Sequence, residues 1–269
     1  MRLCLIGDSH AAMLIAAHRA DPAGDALTIF AKPGLAASDI AVEDGILRAV
    51  SEDLCKRLTG MGTSDRLDLR DFDAIVIAGL VPSAFAAVRL QQGHAVSGWP
   101  SGARALARAL TDGPGTPRPL MTRSAYRAAL VALTESSLGA TLARSAPCPV
   151  LLVPQPFPSD ALLQMEGKYP VFRRVVRNSD GAALAEDLHA AYNSVFRKID
   201  GASCLLQSTH TRSHGCLTRA DLMRAGPRLA EGGRQESDDI LHGNATLGAE
   251  LWAGLRRRLR TPVETTSNP

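Results

Sequence analysis

The sequence predicts an α/β protein built on a doubly wound parallel sheet, and two observations carry that expectation. Five short apolar runs recur along the chain, and helix-like segments rich in Ala and Leu lie between them. Strand and helix in repeated alternation is the pattern of a sheet covered by helices on both faces.

In order, the first strand is expected at Leu3 to Ile6 and the first helix at Ser9 to Arg19. The second strand, Leu27 to Ala31, is followed by a helix over Ser51 to Leu58. The third strand is Ala74 to Ala78, and helices at Ala103 to Leu110 and Ser124 to Arg144 separate it from the fourth, Val150 to Val153. A helix over Ala182 to Lys198 leads to the fifth strand, Cys204 to Leu206, and Ala245 to Arg258 forms the closing helix. Two long segments, 80–102 and 156–180, break the alternation. Each follows the carboxyl end of a strand, where open α/β sheets carry binding loops, so both either wall a pocket or serve merely as long connections.

With 269 residues, 45% of them hydrophobic, the chain has material for one large core. Residues 1–260 are expected to form a single domain and 261–269 a disordered tail. The 30 Lys plus Arg against 27 Asp plus Glu leave a formal charge of +3, too small an excess to indicate nucleic acid or a membrane surface. The apolar run after Met1-Arg2 is too short for a secretory signal, and no later stretch approaches a membrane span. A cytoplasmic protein with a small-molecule partner is expected. The five cysteines, Cys4, Cys55, Cys148, Cys204 and Cys216, are odd in number and lack CxxC spacing, which suits reduced core filler.

The stretch most suggestive of chemistry is "LCLIGDSHAAMLIAAH", where Gly7-Asp8-Ser9-His10 ends the first strand. A Ser there serves equally well as a helix N-cap. Near the other end stands "ESDDILHGNATLGAELW", with Asp239 and His242 three residues apart before the last helix. A Ser nucleophile needs a base to take its proton, and the base needs a carboxylate to hold its tautomer and stabilise the imidazolium. One loop supplies both.

Taken together, "IGDSHA" and "DDILHGNATLG" resemble the SGNH (GDSL-like) hydrolase superfamily across nearly the whole chain. The resemblance implies a flavodoxin-like, three-layer α/β/α sandwich with a five-stranded parallel sheet in the order 2-1-3-4-5. It also implies a catalytic triad of Ser9, Asp239 and His242, with no cofactor. The reaction implied is hydrolysis of an O-acyl ester, of a small molecule or an acylated carbohydrate. Transfer of the acyl group to an alcohol by the same triad, or carbohydrate or partner binding without catalysis, are the alternatives. The oxyanion hole implied is the Ser9 N–H, the Gly34 N–H in "FAKPGLAAS", and a third block that begins at Gly79 in "VIAGLVPS". The Asn that this family carries in that block is absent; Val81 stands there, followed by Pro82, and neither supplies a side-chain donor. On that alignment, Val81→Asn is expected to raise activity or leave it unchanged. His10 and Asn244 are polar substitutes near the site, though each also suits a helix terminus.

Three further groups stand out. His210, His214 and Cys216 lie in a polar, turn-rich stretch without a fourth ligand, so no metal is expected. Lys168, Arg173, Arg174 and Arg177 suggest either an anionic substrate or a solvated face. Trp99, Phe157 and Tyr169 in the two long segments are candidate stacking platforms for a sugar, in a chain with only 4% aromatic residues.

Overall fold

The structure, a computed structural model, describes residues 1–111, 118–229, 233–236 and 238–260. The expected tail, 261–269, lies outside the described residues. Five strands pair in parallel as one sheet: β1 (Arg2–Gly7), β2 (Ala26–Ala31), β6 (Ala74–Ala78), β9 (Val150–Val153) and β10 (Ala202–Cys204). Their spatial order is β2-β1-β6-β9-β10. Chain-wide numbering departs from 2-1-3-4-5 because short strands intervene outside this sheet. The first of these are the antiparallel β3 (Ile40–Glu43), β4 (Ile46–Ala49) and β5 (Arg66–Asp68). A small parallel pair, β7 (Ala95–Val96) and β8 (Leu120–Met121), follows, and β11 (Arg212–Ser213) with β12 (Leu217–Thr218) forms a late hairpin.

Strand geometry explains the layers. Side chains alternate across a strand, so β1 sends Leu3 and Leu5 to one face and Cys4 and Ile6 to the other, and all four are buried. The Leu3 face packs under α1 (Ala11–Ala20) and α9 (Ala245–Arg260), through Met13, Leu14, Leu251 and Trp252. The opposite face carries α2 (Glu52–Gly60), α3 (Ala84–Gln91), α5 (Arg123–Glu135), α6 (Leu138–Ser145) and α8 (Gly181–Phe196). Because β1 has neighbours on both edges and helices on both faces, it reads in sequence as an unbroken apolar run.

Several boundaries differ from expectation, each for a local reason. The single helix expected over Ser124 to Arg144 is two. Ser136 ends α5, and Ser137 turns extended and accepts the Ala140 N–H at 3.2 Å, capping α6 anew. The fifth strand sits at Ala202–Cys204 rather than Cys204 to Leu206, and α4 (Pro100–Thr111) begins three residues early. The two long segments contain helices: α3 in the first, and α7 (Pro170–Arg177) in the second, started by Pro170 in the first turn.

A buried carboxylate ties the helical layer together. Asp187 of α8, fully buried, accepts Trp99 Nε1–H at 2.8 Å, Arg123 Nε–H at 2.9 Å and Arg127 Nε–H at 2.6 Å. Trp99 and Phe157 are themselves buried, so neither is a sugar platform; they pack the core instead. Arg173 and Arg174 are likewise occupied, donating to the carbonyls of Leu163 and Lys168 and of Gln92. The terminal arginines also have partners: Arg256 reaches Asp21 and Asp25, and Arg260 reaches Asp25. Asp187→Ala is expected to strand the buried indole N–H and cost about 1–3 kcal/mol. Urea unfolding with an unchanged slope checks it.

Candidate active site

Ser9, His242 and Asp239 meet at the carboxyl edge of the sheet. The Ser9 Oγ lies 2.9 Å from His242 Nε2, and His242 Nδ1 lies 2.7 Å from Asp239 Oδ2. A carboxylate only accepts, so Nδ1 carries the proton toward Asp239 and Nε2 is left to receive the Ser9 hydroxyl. Asp239 is oriented by its other oxygen, which accepts the Leu241 N–H at 2.9 Å. Burial pushes the Asp239 carboxyl up, but its hydrogen bonds from His242 and Leu241 outweigh that and hold it below the ordinary Asp value.

The local chain explains why Ser9 is presented. Ser9 does not cap the helix that follows it; His10 occupies the N-cap position, and the Ser9 hydroxyl is spent on His242. The turn is tight because Gly7 and Gly79 lack side chains. A Cβ on Gly7 would stand 2.8 Å from the Ala78 carbonyl oxygen, and one on Gly79 would stand 2.7 Å from both Asp8 carboxylate oxygens. Gly79 also has φ +71°, a conformation costly for other residues. Asp8 uses that space to accept the His10 N–H at 2.9 Å, which closes the turn.

His242 is brought in by α9. Gly248 of that helix lies so close to α1 that a Cβ would stand 2.4 Å from the Met13 carbonyl oxygen. Asn244 is the cap of α9: its Oδ1 accepts the N–H groups of Thr246 and Leu247 at 3.0 and 3.2 Å, and its amide donates to Asp221 O. It is therefore occupied as a helix terminus. His10 stacks on His242, ring centroids 4.9 Å apart and planes 24° from parallel. Burial, ahead of Asp8, His242 and Asp239, lowers its pKa and keeps it neutral, and its Nδ1 is buried without a partner. Sequence reasoning placed His10 near the site but had no signal for this stacking, which depends on two loops separated by most of the chain.

The oxyanion positions divide. The Ser9 and Gly34 N–H groups donate to no acceptor among the described residues. Gly34 is exposed in the turn after β2, with φ +66°. Gly79 does not fit the expected role, because its N–H donates to Val153 O at 2.9 Å within the sheet. Its contribution is the room it leaves for Asp8. Val81 is buried in the core, and its Cγ1 lies 3.1 Å from where a Gly139 Cβ would stand, so it packs toward α6.

His210 bonds to Ser208 and pairs with Glu250 Oε2 at 3.0 Å, His214 sits in a left-handed turn, and Cys216 is buried with its thiol pushed up to about 12 by burial. Among the described residues no group of three His, Cys, Asp or Glu is placed to hold a metal. No helix among them is long and apolar enough to cross a membrane. The chain matches no known protein-family model, and no curated protein is detectably similar to it.

Two predictions follow from this geometry. Because the folded Asp239 carboxyl titrates below its unfolded value, its contribution to stability is present above about pH 4 and fades as the pH falls through the lowered value. The stability difference between wild type and Asp239→Asn should therefore shrink below pH 4, read from urea midpoints across pH. Val81→Asn buries an amide among apolar neighbours, so the expectation from sequence is revised: it should destabilise by about 1–3 kcal/mol and bring no gain in turnover. Paired thermal melts and rate assays check it.

Proposed function

We propose that this protein is a serine-dependent ester hydrolase of the SGNH type, on a flavodoxin-like sandwich, acting on an O-acyl ester. The observation that supports it is the continuous hydrogen-bond chain from Ser9 through His242 to Asp239: a local contact of 2.7 Å between Asp239 and His242, and one of 2.9 Å that joins His242 to Ser9 across 233 positions of sequence. A solvated surface pair has no reason to align in this way with a hydroxyl at a sheet edge.

In this reading His242 Nε2 takes the Ser9 proton as Oγ bonds to the acyl carbon, and Asp239 stabilises the imidazolium that forms. Negative charge builds on the former carbonyl oxygen, and the free N–H groups of Ser9 and Gly34 are the donors for it. Collapse breaks the bond to the alcohol, which leaves with the proton from His242. Water then enters by the same route in reverse order, with His242 again the base, and releases the acid and Ser9. The neutral ring of His10 lies against the face of the imidazolium without adding a second cation.

Two backbone donors without the Asn make a weaker hole than a full set. Loss of one such donor costs about 10²–10³ in turnover, whereas loss of the nucleophile or base costs on the order of 10⁶. Slow but real hydrolysis of aryl acetates is expected. The missing donor favours one rival, a non-catalytic binding domain that keeps the triad side chains. A fluorophosphonate probe separates the two: it should label wild type on Ser9 and leave Ser9→Ala and His242→Ala unlabelled, with ester hydrolysis abolished in parallel. Hydrolysis that survives Ser9→Ala undiminished would replace this reading with the binding domain. Product analysis with an added alcohol acceptor separates hydrolysis from acyl transfer by the same residues.

A further inference from the structure

Beyond Ser9, Asp239 and His242, the chain holds a cavity of about 540 Å³ along α8, from Ala182 to Asn193. Its polar lining is Glu186, His189 and Asn193 from the helix, with Thr209 and Arg212 from the chain after β10. Ala182, Ala190 and Gly215 leave the space between them open. The volume suits a ligand of sugar size or larger.

Arg212 gives the cavity its chemistry. Its Nη1 donates to Gly215 O at 2.8 Å and its guanidinium lies 5.6 Å over the Phe157 ring, yet its Nε–H is buried without an acceptor. No carboxylate pairs with it among the described residues, whereas the half-buried Arg123, Arg127 and Arg256 each have one. A cation taken partly out of water without a counter-charge is unfavourable unless a ligand supplies one. The only carboxylate in the lining, Glu186, is already engaged by Arg123 at 3.1 Å and Arg127 at 3.0 Å. His189 adds no competing charge: burial, with Arg212 beside it, pushes its pKa down to about 4 and leaves it a neutral donor and acceptor. Neutral His189, Asn193 and Thr209 around one cation make a lining for a hydroxyl-rich anion.

The cavity lies beside the carboxyl end of β10, since Thr209 and Arg212 follow that strand. His189 lines a second, narrow space together with Gln155, after β9, and Gln207, after β10. Three strand spacings separate β10 from β1, roughly 14 Å at about 4.8 Å each. A substrate held in the cavity and cleaved at Ser9 has to span at least about that distance along the sheet edge.

We propose that the cavity is a substrate subsite that holds the carboxylate of an acidic sugar against Arg212, so that the ester cleaved is borne by a uronate-containing carbohydrate. The substrate assignment rests on the hydrolase reading; the binding site does not.

The test is a calorimetric titration of the full chain carrying Ser9→Ala, which binds without turnover, with D-glucuronate, D-glucose and inorganic phosphate. Glucuronate should bind at least about tenfold tighter than glucose, and Arg212→Met should remove that difference, with partial recovery in Arg212→Lys. Asn193→Leu, which fills the cavity from the helix face and leaves Arg212 in place, should weaken glucuronate similarly and covers the case in which Arg212→Met does not fold. Equal binding of glucuronate and glucose, phosphate binding as tightly as glucuronate, or glucuronate affinity unaffected by these variants would each overturn the proposal. Fluorophosphonate labelling of the wild type keeps the two readings apart. A labelled Ser9 with no glucuronate preference removes the subsite alone, and glucuronate binding with an unreactive Ser9 removes the hydrolase alone.

Discussion

The close approach of α9 to α1 is the contact on which the candidate site depends. Ser9 stands immediately before α1 and His242 shortly before α9, so the two side chains meet only if the helices lie side by side in register. Gly248 permits this, since any Cβ there would collide with the Met13 carbonyl, and Gly243 leaves similar room for the Met13 side chain and Leu247. Trp252, Leu251 and Leu255 then bury that helix face over β1 and its neighbours. The hydrogen bonds of the triad are weak beside this burial. Packing positions them, and they report that the packing is right.

At the opposite side of the same turn, the sheet itself sets the geometry. Gly7 and Gly79, at the ends of adjacent strands, draw β1 and β6 together closely enough for the Asp8 carboxylate to sit over Gly79 and fasten the His10 N–H. His10 is thereby held with its ring against His242, buried and neutral. A neutral ring there spares His242 a second cation at 4.9 Å, which would oppose protonation of its imidazole. Asp8 and Asp239 are the acidic groups acting on His10, and burial outweighs both.

Away from the triad, the carboxyl edge is divided between closed and open regions. Near β6 it is closed: Val81 and Leu80 pack on α6, and the Tyr192 hydroxyl donates to the Pro82 carbonyl. Toward β10 it is open, and Glu186, His189 and Asn193 of α8 face space rather than core. The buried Asp187 on the same helix, fastened by Trp99, Arg123 and Arg127, gives that wall a rigid backing. A wall so anchored can present fixed donors to a ligand without ordering them anew each time.

The sequence by itself determined the five sheet strands, to within two residues at each, and most of the helices. Strands buried on both faces must be continuously apolar, and that signal is local. It also singled out Ser9, Asp239 and His242, which the fold brings within hydrogen-bond reach, because Ser after a strand and Asp-x-x-His before a helix are short patterns legible in their residue types. The β3 to β5 meander and helix α3 were not legible, because their residues mix polar and apolar without a clear period and tertiary contacts select the conformation; α7 does carry a helical period, but over only eight residues inside a segment taken as a connection. The oxyanion positions show the division most sharply. Gly79 aligned by spacing, yet its N–H is committed to Val153, and Val81 faces α6 rather than the site. Where an N–H points, which ring stacks on which, and whether Arg212 finds a counter-charge depend on residues far apart in the chain, and only the tertiary structure decides them.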